Sequence, residues 1–450
     1  MSDASSRPAR VPSTALFTDR YELTMLDAAL HDGSARRRCV FELFGRRLPG
    51  ARRFGVVAGT GRLLQQLADF RFGDDELRFL RDERVVDAAT IRFLEDYRFT
   101  GTITGYREGE LYFPGSPVLT VEGTFAEAVV LETIALSVLN HDSAVANAAA
   151  RMSIAAGDRP LAEMGSRRAS EHGAVAAARA AYIAGFGATS NLEAGRTWGI
   201  PTMGTAAHAW TLLHDTEEDA FRAQIAALGV DTTLLVDTYD IRTGVETAIR
   251  VAGTGLGGVR IDSGDLPTVA AEVRAQLDAL GATSTKITVT SDLDEFAIAA
   301  LAASPVDAYG VGTSVVTGSG APTAGMVYKL VARQDAADSW VGVAKNSTDK
   351  ASKGGRKAAF RTLDRGVATS ELIAVADGFE SVPTAADHPE ARALHVTLVE
   401  AGETDAAYLG PAGVTAAREH HLQVREELPV RALALSRSEP ALPTRFVDVA

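Results

Sequence analysis

The segment Gly257-Gly258-Val259-Arg260-Ile261-Asp262-Ser263-Gly264-Asp265-Leu266 decides how the rest of this 450-residue chain is read. Residues 259–261 read as the end of a short strand, and 266–280 as the amphipathic helix that follows it. The turn between them carries one guanidinium, Arg260, and two carboxylates, Asp262 and Asp265. Polar groups at the C-terminal end of a parallel strand face an open mouth rather than a packed core.

The same layout recurs on both sides of this segment. Candidate strands at 161–164, 183–186, 202–204, 233–236, 259–261, 287–290 and 308–311 alternate with helices at 174–182, 192–198, 215–228, 244–252, 266–280 and 293–303. Repeated strand–helix units of this length imply a parallel sheet with right-handed crossovers. About seven strands favour an α/β fold built as a closed or nearly closed (β/α) barrel; an open doubly wound sheet is the alternative. Each strand end is followed by reactive groups: Ser166, Arg167 and Arg168; Thr189, Ser190 and Asn191; Thr205 and His208; Asp237, Thr238 and Asp240; Asp262, Ser263 and Asp265; Ser291 and Asp292; Gly312 and Thr313. One polar turn is noise, whereas a polar turn after every strand is what a barrel-mouth active site requires.

The flanks differ in character. Residues 18–23 look like a helix start, with Thr18 or Asp19 as cap and Glu22 near the third position of a capping box. Helical periodicity over 54–96 gives way to short antiparallel strands over 99–122. The expected organisation is a frayed polar tail (1–14), an N-terminal α+β domain (15–125), the barrel (126–335) and a C-terminal segment (336–450) that packs back to complete the N-terminal domain. Hydrophobic residues make up 46% and charged residues 23%, which suits a soluble globular protein. A net charge of −13 argues against general nucleic-acid binding. The single cysteine, Cys39, cannot form an internal disulfide, which points to a cytoplasmic setting. The most apolar stretch, 126–156, is interrupted by Glu132, Asn140, His141, Asp142 and Arg151, so buried helices rather than a membrane span are expected.

Three features carry chemistry. Gly310-Val311-Gly312-Thr313 runs into a small-residue stretch, 317–325, whose backbone N–H groups could cradle a phosphate; a plain flexible loop is the competing reading. His208, beside Thr205 and Trp210, is placed as a nucleophile or general base, against a purely structural role. No second histidine stands at zinc-ligand spacing. Asp262 and Asp265 suit ribose hydroxyls or Mg2+, and Asp265 or Ser263 could equally cap the helix at 266. The arginines at 36–38, 46, 47, 52 and 53 form either a solvated rim or a phosphate-facing wall. Together these groups fit a sugar phosphate or nucleotide precursor and leave the reaction open.

At Thr18-Asp-Arg-Tyr-Glu-Leu-Thr24, Gly165-Ser-Arg-Arg168, Gly185-Phe-Gly-Ala-Thr-Ser-Asn191, Gly204-Thr-Ala-Ala-His-Ala-Trp210, Val259-Arg-Ile-Asp-Ser-Gly-Asp265 and Gly310-Val-Gly-Thr313, the sequence resembles nicotinate phosphoribosyltransferases. The resemblance spans most of 18–357. It implies conversion of nicotinate and phosphoribosyl pyrophosphate to nicotinate mononucleotide and pyrophosphate, the first step of NAD salvage from nicotinate. It also implies coupling to ATP with Mg2+, and a homodimer with shared sites. In that family the histidine of G-T-x-x-H is phosphorylated, which maps onto His208; His208 and Asp262 are the catalytic residues the resemblance implies. Tyr21, reaching across from the other subunit, would stack on the pyridine ring. Arg260 and Thr205 would hold the nicotinate end, and Arg167 a substrate phosphate or carboxylate. Asp262 and Asp265 would hold the ribose and its metal, and Gly312 and Thr313 the 5′-phosphate. Related nicotinamide-specific enzymes carry an aspartate where this chain has Ser190, so Ser190 favours the acid over the amide. Met164 stands where relatives often have a stacking phenylalanine. The polar loop 345–357 is expected to close over phosphates. A nicotinamide or quinolinate phosphoribosyltransferase and a non-catalytic nucleotide-binding paralogue are the alternatives.

Overall fold

In the computed structural model, which describes residues 13–345, 352–376 and 391–449, the chain divides into two compact units. Ala144–Pro322, with Leu433–Leu435, forms one. The other joins the chain up to Ser143 with Thr323–Ala432 and the residues from Ser436 onward.

The first unit contains six strands: β1 (Leu161–Glu163), β2 (Ala188–Thr189), β3 (Thr233–Leu235), β4 (Gly258–Ile261), β5 (Lys286–Val289) and β6 (Ala308–Val311). All pair in parallel, in the order β2-β1-β6-β5-β4-β3. The first strand is thus hydrogen-bonded to the last, with Tyr309 opposite Leu161. A doubly wound sheet reverses its strand order at a switch point, whereas a first-to-last pairing is what ring closure needs. A single parallel bridge, Thr189 to Thr202, carries the wall one step further. The result is an irregular (β/α) barrel of six strands and a bridge.

Two expected strands are corrected. The stretch 183–186 is not a strand: the helix Glu171–Ile183 runs to its first residue, and Gly185, at φ 119°, turns the chain towards β2. Ile183 and Phe186 are fully buried, and a short apolar run serves a helix end as well as a strand. The stretch 202–204 contributes only the bridge at Thr202. In β4, Val259 and Ile261 are fully buried while Arg260 alternates with them on the opposite face. Burying each such aliphatic side chain contributes roughly 1.5–3 kcal/mol, which fixes the strand and with it the direction of Arg260.

The second unit is built on a seven-stranded sheet. Its order is Trp340–Gly342, Met326–Gln334, Arg38–Gly45, Pro117–Thr124, Thr102–Tyr106, His395–Glu400 and Glu403–Thr404, all antiparallel. A four-stranded sheet, Ala391–Ala393, Arg356–Asp364, Val367–Ala376 and Thr444–Val449, belongs to the same unit. Within that unit, strands late in the chain pair with strands early in it, as Met326–Gln334 does with Arg38–Gly45. The units therefore divide at Ser143 and Pro322, inside the expected boundaries of 126 and 335. The helix Glu132–Ala156 begins in one unit and ends in the other.

The apolar stretch Phe125–Ala156 has the length and composition of a membrane span, but 67% of its most apolar window is buried inside the protein. It forms the helices Phe125–Val129 and Glu132–Ala156. Of the polar tail only residues 13 and 14 are described, and residues 346–351 of the loop 345–357 lie outside the described residues.

Candidate active site

The site grows from the turns at the C-terminal ends of β3, β4 and β5. After β3 the chain places Asp237, whose side chain is fully buried. Its Oδ2 accepts hydrogen bonds from the Asp262 backbone N–H at 2.8 Å and the Ser263 hydroxyl at 2.6 Å. The turn after β4 is thereby fastened to the turn after β3. The other oxygen, Asp237 Oδ1, is buried and has no hydrogen-bond partner among the described residues. A buried carboxylate oxygen left in this state costs free energy unless a donor or cation reaches it.

His208 supplies the candidate donor. It opens the short helix His208–Leu212, an element absent from the sequence-based reading. Its Nε2 lies 3.9 Å from Asp237 Oδ1 and 3.9 Å from Asp262 Oδ2, and its Nδ1 lies 3.1 Å from the Thr238 hydroxyl. The side chain remains 40% exposed, so a reactant can approach it.

Arg260 is the hub of the opposite wall. Its Nε donates to the Thr290 hydroxyl at 3.2 Å, and one terminal nitrogen donates to the Thr205 hydroxyl and the Ala206 carbonyl, each at 3.1 Å. The other terminal nitrogen lies 3.7 Å from Asp262 Oδ2. Asp262 Oδ1 accepts from the Thr290 hydroxyl. Thr205, His208, Asp237, Arg260, Asp262 and Thr290 thus form one continuous cluster drawn from four separate segments.

Beside it lies a second cluster. Buried Glu163, at the end of β1, accepts from the Thr189 hydroxyl at 2.5 Å and from the Gly165 N–H. Burial pushes the Glu163 carboxyl above its usual range. The Asn191 side-chain amide donates to Ser166 at 3.0 Å and ties the turn after β1 to the turn after β2. Arg167 and Ser190 stand exposed on these two turns, and Arg167 has no ion pair among the described residues. After β6, Gly312 precedes the helical turn Thr313–Val316, with Thr313 exposed. Two glycines there are steric necessities. A Cβ on Gly310 would sit 2.7 Å from Met164 Sδ, and one on Gly165 would sit 2.2 Å from Val316 Cγ1. Met164 is therefore packed over β6, and its thioether occupies the space Gly310 leaves open. The glycine-rich run that follows is held by Ser319, whose hydroxyl donates to Glu295, itself paired with Arg151 at 3.0 Å.

Asp265 is the N-cap of the helix Leu266–Ala279, accepting from the Thr268 N–H at 3.1 Å. Hydrogen bonds from the Thr268 side chain and backbone hold its carboxyl below the usual range. The capping alternative is thus realised. Tyr21 belongs to the other unit and is not part of this cluster; it is 46% exposed on the helix Arg20–Asp32. Also in that unit, Ser352 and Lys353 of the expected loop 345–357, with Lys357, which the fold instead places in the strand Arg356–Asp364, line a cavity of about 550 Å3 with Arg46 and Glu42. There Lys357 pairs with Glu42 at 2.7 Å, both side chains being 3% exposed.

Sequence reading placed Asp237 among the polar groups at the strand ends without giving it a role, and took Thr290 only as the end of a strand. The polar turn after the apolar strand residues 234–236 contained the information, but it offers both Asp237 and Asp240, and only the fold shows which one is buried. Asp240 instead caps the helix Ile241–Ala252.

Comparison with known proteins adds an independent line. Residues 16–140 match the model of the nicotinate phosphoribosyltransferase N-terminal domain. The chain is 55% identical over 449 residues to a nicotinate phosphoribosyltransferase of Mycobacterium tuberculosis, covering 98% of this chain and 97% of that protein. It is 39% identical over 364 residues to the Bacillus subtilis nicotinate phosphoribosyltransferase, covering 78% and 74%. Among solved structures, human nicotinic acid phosphoribosyltransferase superposes with a TM-score of 0.78 at 27% identity, covering 96% of this chain and 97% of that one.

Proposed function

The chain belongs to the nicotinate phosphoribosyltransferase family, and we propose that it makes nicotinate mononucleotide in an ATP-coupled cycle that passes through a phosphohistidine at His208. The substrates are nicotinate and phosphoribosyl pyrophosphate, and the product enters NAD synthesis. The observation that carries the ATP-coupled reading is the placement of one half-exposed imidazole against two carboxylates, one of them a buried oxygen in want of a donor.

With Nε2–H directed to Asp237 Oδ1, the His208 lone pair sits on Nδ1, where the Thr238 hydroxyl 3.1 Å away donates to it until ATP displaces that contact. That nitrogen attacks the γ-phosphorus of ATP; the P–N bond forms as the P–O bond to ADP breaks. Asp237 balances the positive charge that grows on the ring and keeps Nε2 protonated. The phosphoramidate stores free energy that tightens substrate binding, and its hydrolysis later releases phosphate. In the transfer step the pyridine nitrogen of nicotinate bonds to ribose C1 while the C1–oxygen bond to pyrophosphate breaks. Positive charge developing on C1 is eased by Asp262, which needs no proton transfer to do so.

The remaining side chains bind and orient. Arg260 and Thr205 take the nicotinate carboxylate, Arg167 a phosphate or carboxylate, Asp262 and Asp265 the ribose, and Gly312 and Thr313 the 5′-phosphate. The donor set suits a hard divalent cation, since Asp237 Oδ1 and Asp262 Oδ2 are carboxylate oxygens without hydrogen-bond partners among the described residues. Mg2+ held there with the substrate phosphates would neutralise their charge. We further infer a homodimer in which Tyr21 of one subunit covers the pyridine ring bound by the other. The loop 345–357 would close over phosphates, in keeping with the basic side chains of the cavity it lines. A buried lone thiol, Cys39, accords with a cytoplasmic setting.

Base competition tests the substrate. With nicotinate, nicotinamide and quinolinate in one mononucleotide-forming assay, product is expected from nicotinate; turnover with the amide alone would refute the assignment. Ser190→Asp places an anion on the turn after β2, at the position where the resemblance sets the choice between acid and amide. It is expected to raise KM for nicotinate about tenfold while leaving the neutral amide less affected, by like-charge repulsion. An unchanged acid-to-amide ratio in the variant would remove Ser190 from the specificity determinants.

A further inference from the structure

Glu22 is a carboxyl buried to 0% exposure in the first turn of the helix Arg20–Asp32, one residue from Tyr21. It does not complete a capping box: Asp19 is the N-cap and makes no side-chain cap bond. Instead Glu22 Oε1 accepts from the Thr133 backbone N–H at 3.0 Å and from the Thr133 hydroxyl, while Oε2 meets the Thr18 hydroxyl. Thr18 lies in turn 3.4 Å from the Val130 carbonyl. These contacts pin the start of the Tyr21 helix to the start of the helix Glu132–Ala156.

No cation pairs with Glu22 among the described residues. The charged or ionisable groups around it are Glu132, Asp19 and the phenols of Tyr21, Tyr97 and Tyr328; Lys329 donates to the Tyr328 carbonyl and lies 3.6 Å from Glu132. A neutral carboxylic acid satisfies this environment completely. Oε2–H donates to Thr18, Thr18 donates on to Val130, and Oε1 accepts both bonds from Thr133. An anion would leave buried negative charge unpaired. Tyr21 precedes Glu22 in the same first helical turn, so the contacts that fasten Glu22 to Thr133 also fix the backbone that carries the phenol.

We propose that Glu22, in its neutral form, is a positioning residue for Tyr21, and that its ionisation weakens nicotinate binding without altering the chemical step. The inference rests on the reading that Tyr21 covers the pyridine ring. Burial, together with the neighbouring charge of Glu132, raises the Glu22 carboxyl from 4.5 to about 7, opposed by its hydrogen bonds. The sign follows from linkage: an unfolded chain releases this proton first as pH rises. Stability contributed by neutral Glu22 is therefore complete below 4.5 and lost as pH rises through about 7. The order of the Tyr21 turn follows the same curve.

The test measures KM for nicotinate and kcat at saturating phosphoribosyl pyrophosphate, from about pH 5.5 to about pH 8.5. In the wild-type enzyme KM is expected to rise about tenfold across that range relative to Glu22→Gln, whose KM stays level, with kcat following one curve in both. Glutamine mimics the neutral acid, so rescue of binding at high pH separates positioning from general folding. A Glu22→Gln profile that coincides with wild type in KM overturns the proposal. Tyr21→Ala distinguishes the underlying reading. If it raises KM at every pH, the stacking role stands and the Glu22 comparison decides the inference; if KM is unchanged, the stacking role fails and the inference falls with it.

Discussion

Asp262→Asn is expected to lower kcat/KM for phosphoribosyl transfer roughly 10²–10³-fold, the loss typical of removing one preorganised electrostatic partner of a transition state. The carboxylate stands within 3.7 Å of Arg260, within 3.9 Å of His208, and accepts from Thr290. Asparagine preserves its shape and the backbone N–H bond to Asp237, but removes the negative charge that ribose C1 requires as pyrophosphate departs. The effect should fall on kcat more than on KM for nicotinate, because the pyridine carboxylate is held by Arg260 and Thr205. Circular dichroism should be unchanged, since Asp262 is partly exposed and the turn remains tied through Asp237 Oδ2. A variant with kcat within a factor of about three of wild type would place the transfer chemistry elsewhere.

His208→Ala should break the coupling rather than the transfer itself. Phosphoribosyl transfer needs no phosphate on the enzyme, so residual mononucleotide synthesis should persist, lowered about 10²-fold at limiting substrate, and addition of ATP should no longer raise it. ATP consumption should vanish with the coupling. Measuring ADP released per mononucleotide formed checks this directly: a variant that still hydrolyses ATP in proportion to product has no phosphoenzyme at this position. The geometry makes the prediction specific to His208. Among the described residues it is the imidazole of His208 that stands within 3.9 Å of both Asp237 and Asp262, whereas His214 Nδ1 is turned to the Trp210 carbonyl at 2.9 Å.

Much of this architecture is visible in the amino-acid order, for identifiable reasons. The turn 262–265 is legible because a buried apolar strand, an arginine on its opposite face and a capped helix follow one another within ten residues. The barrel is legible because that unit repeats, although β2 is only two residues long and its neighbour is a single bridge. What stays hidden is long-range placement. Asp237 and Asp240 are three residues apart and chemically alike, yet one is buried under the site and the other caps a helix. Glu22 looked like a capping-box residue because a candidate cap, Asp19, lies three positions earlier. Its true partner, Thr133, is 111 residues away, a pairing that local spacing does not encode. Met164 gave a similar lesson: its thioether fills the gap left by Gly310, a relation between the turn after β1 and strand β6 rather than between neighbours in sequence.

Incubating the protein with γ-labelled ATP, and mapping the label by mild proteolysis, reaches the centre of the proposed chemistry. Label that is lost in acid, survives base and resides on the peptide containing His208, and that falls sharply in Asp237→Asn, is the expected result. Acid-stable label on a hydroxyl residue, or label of undiminished yield in His208→Ala, would contradict it.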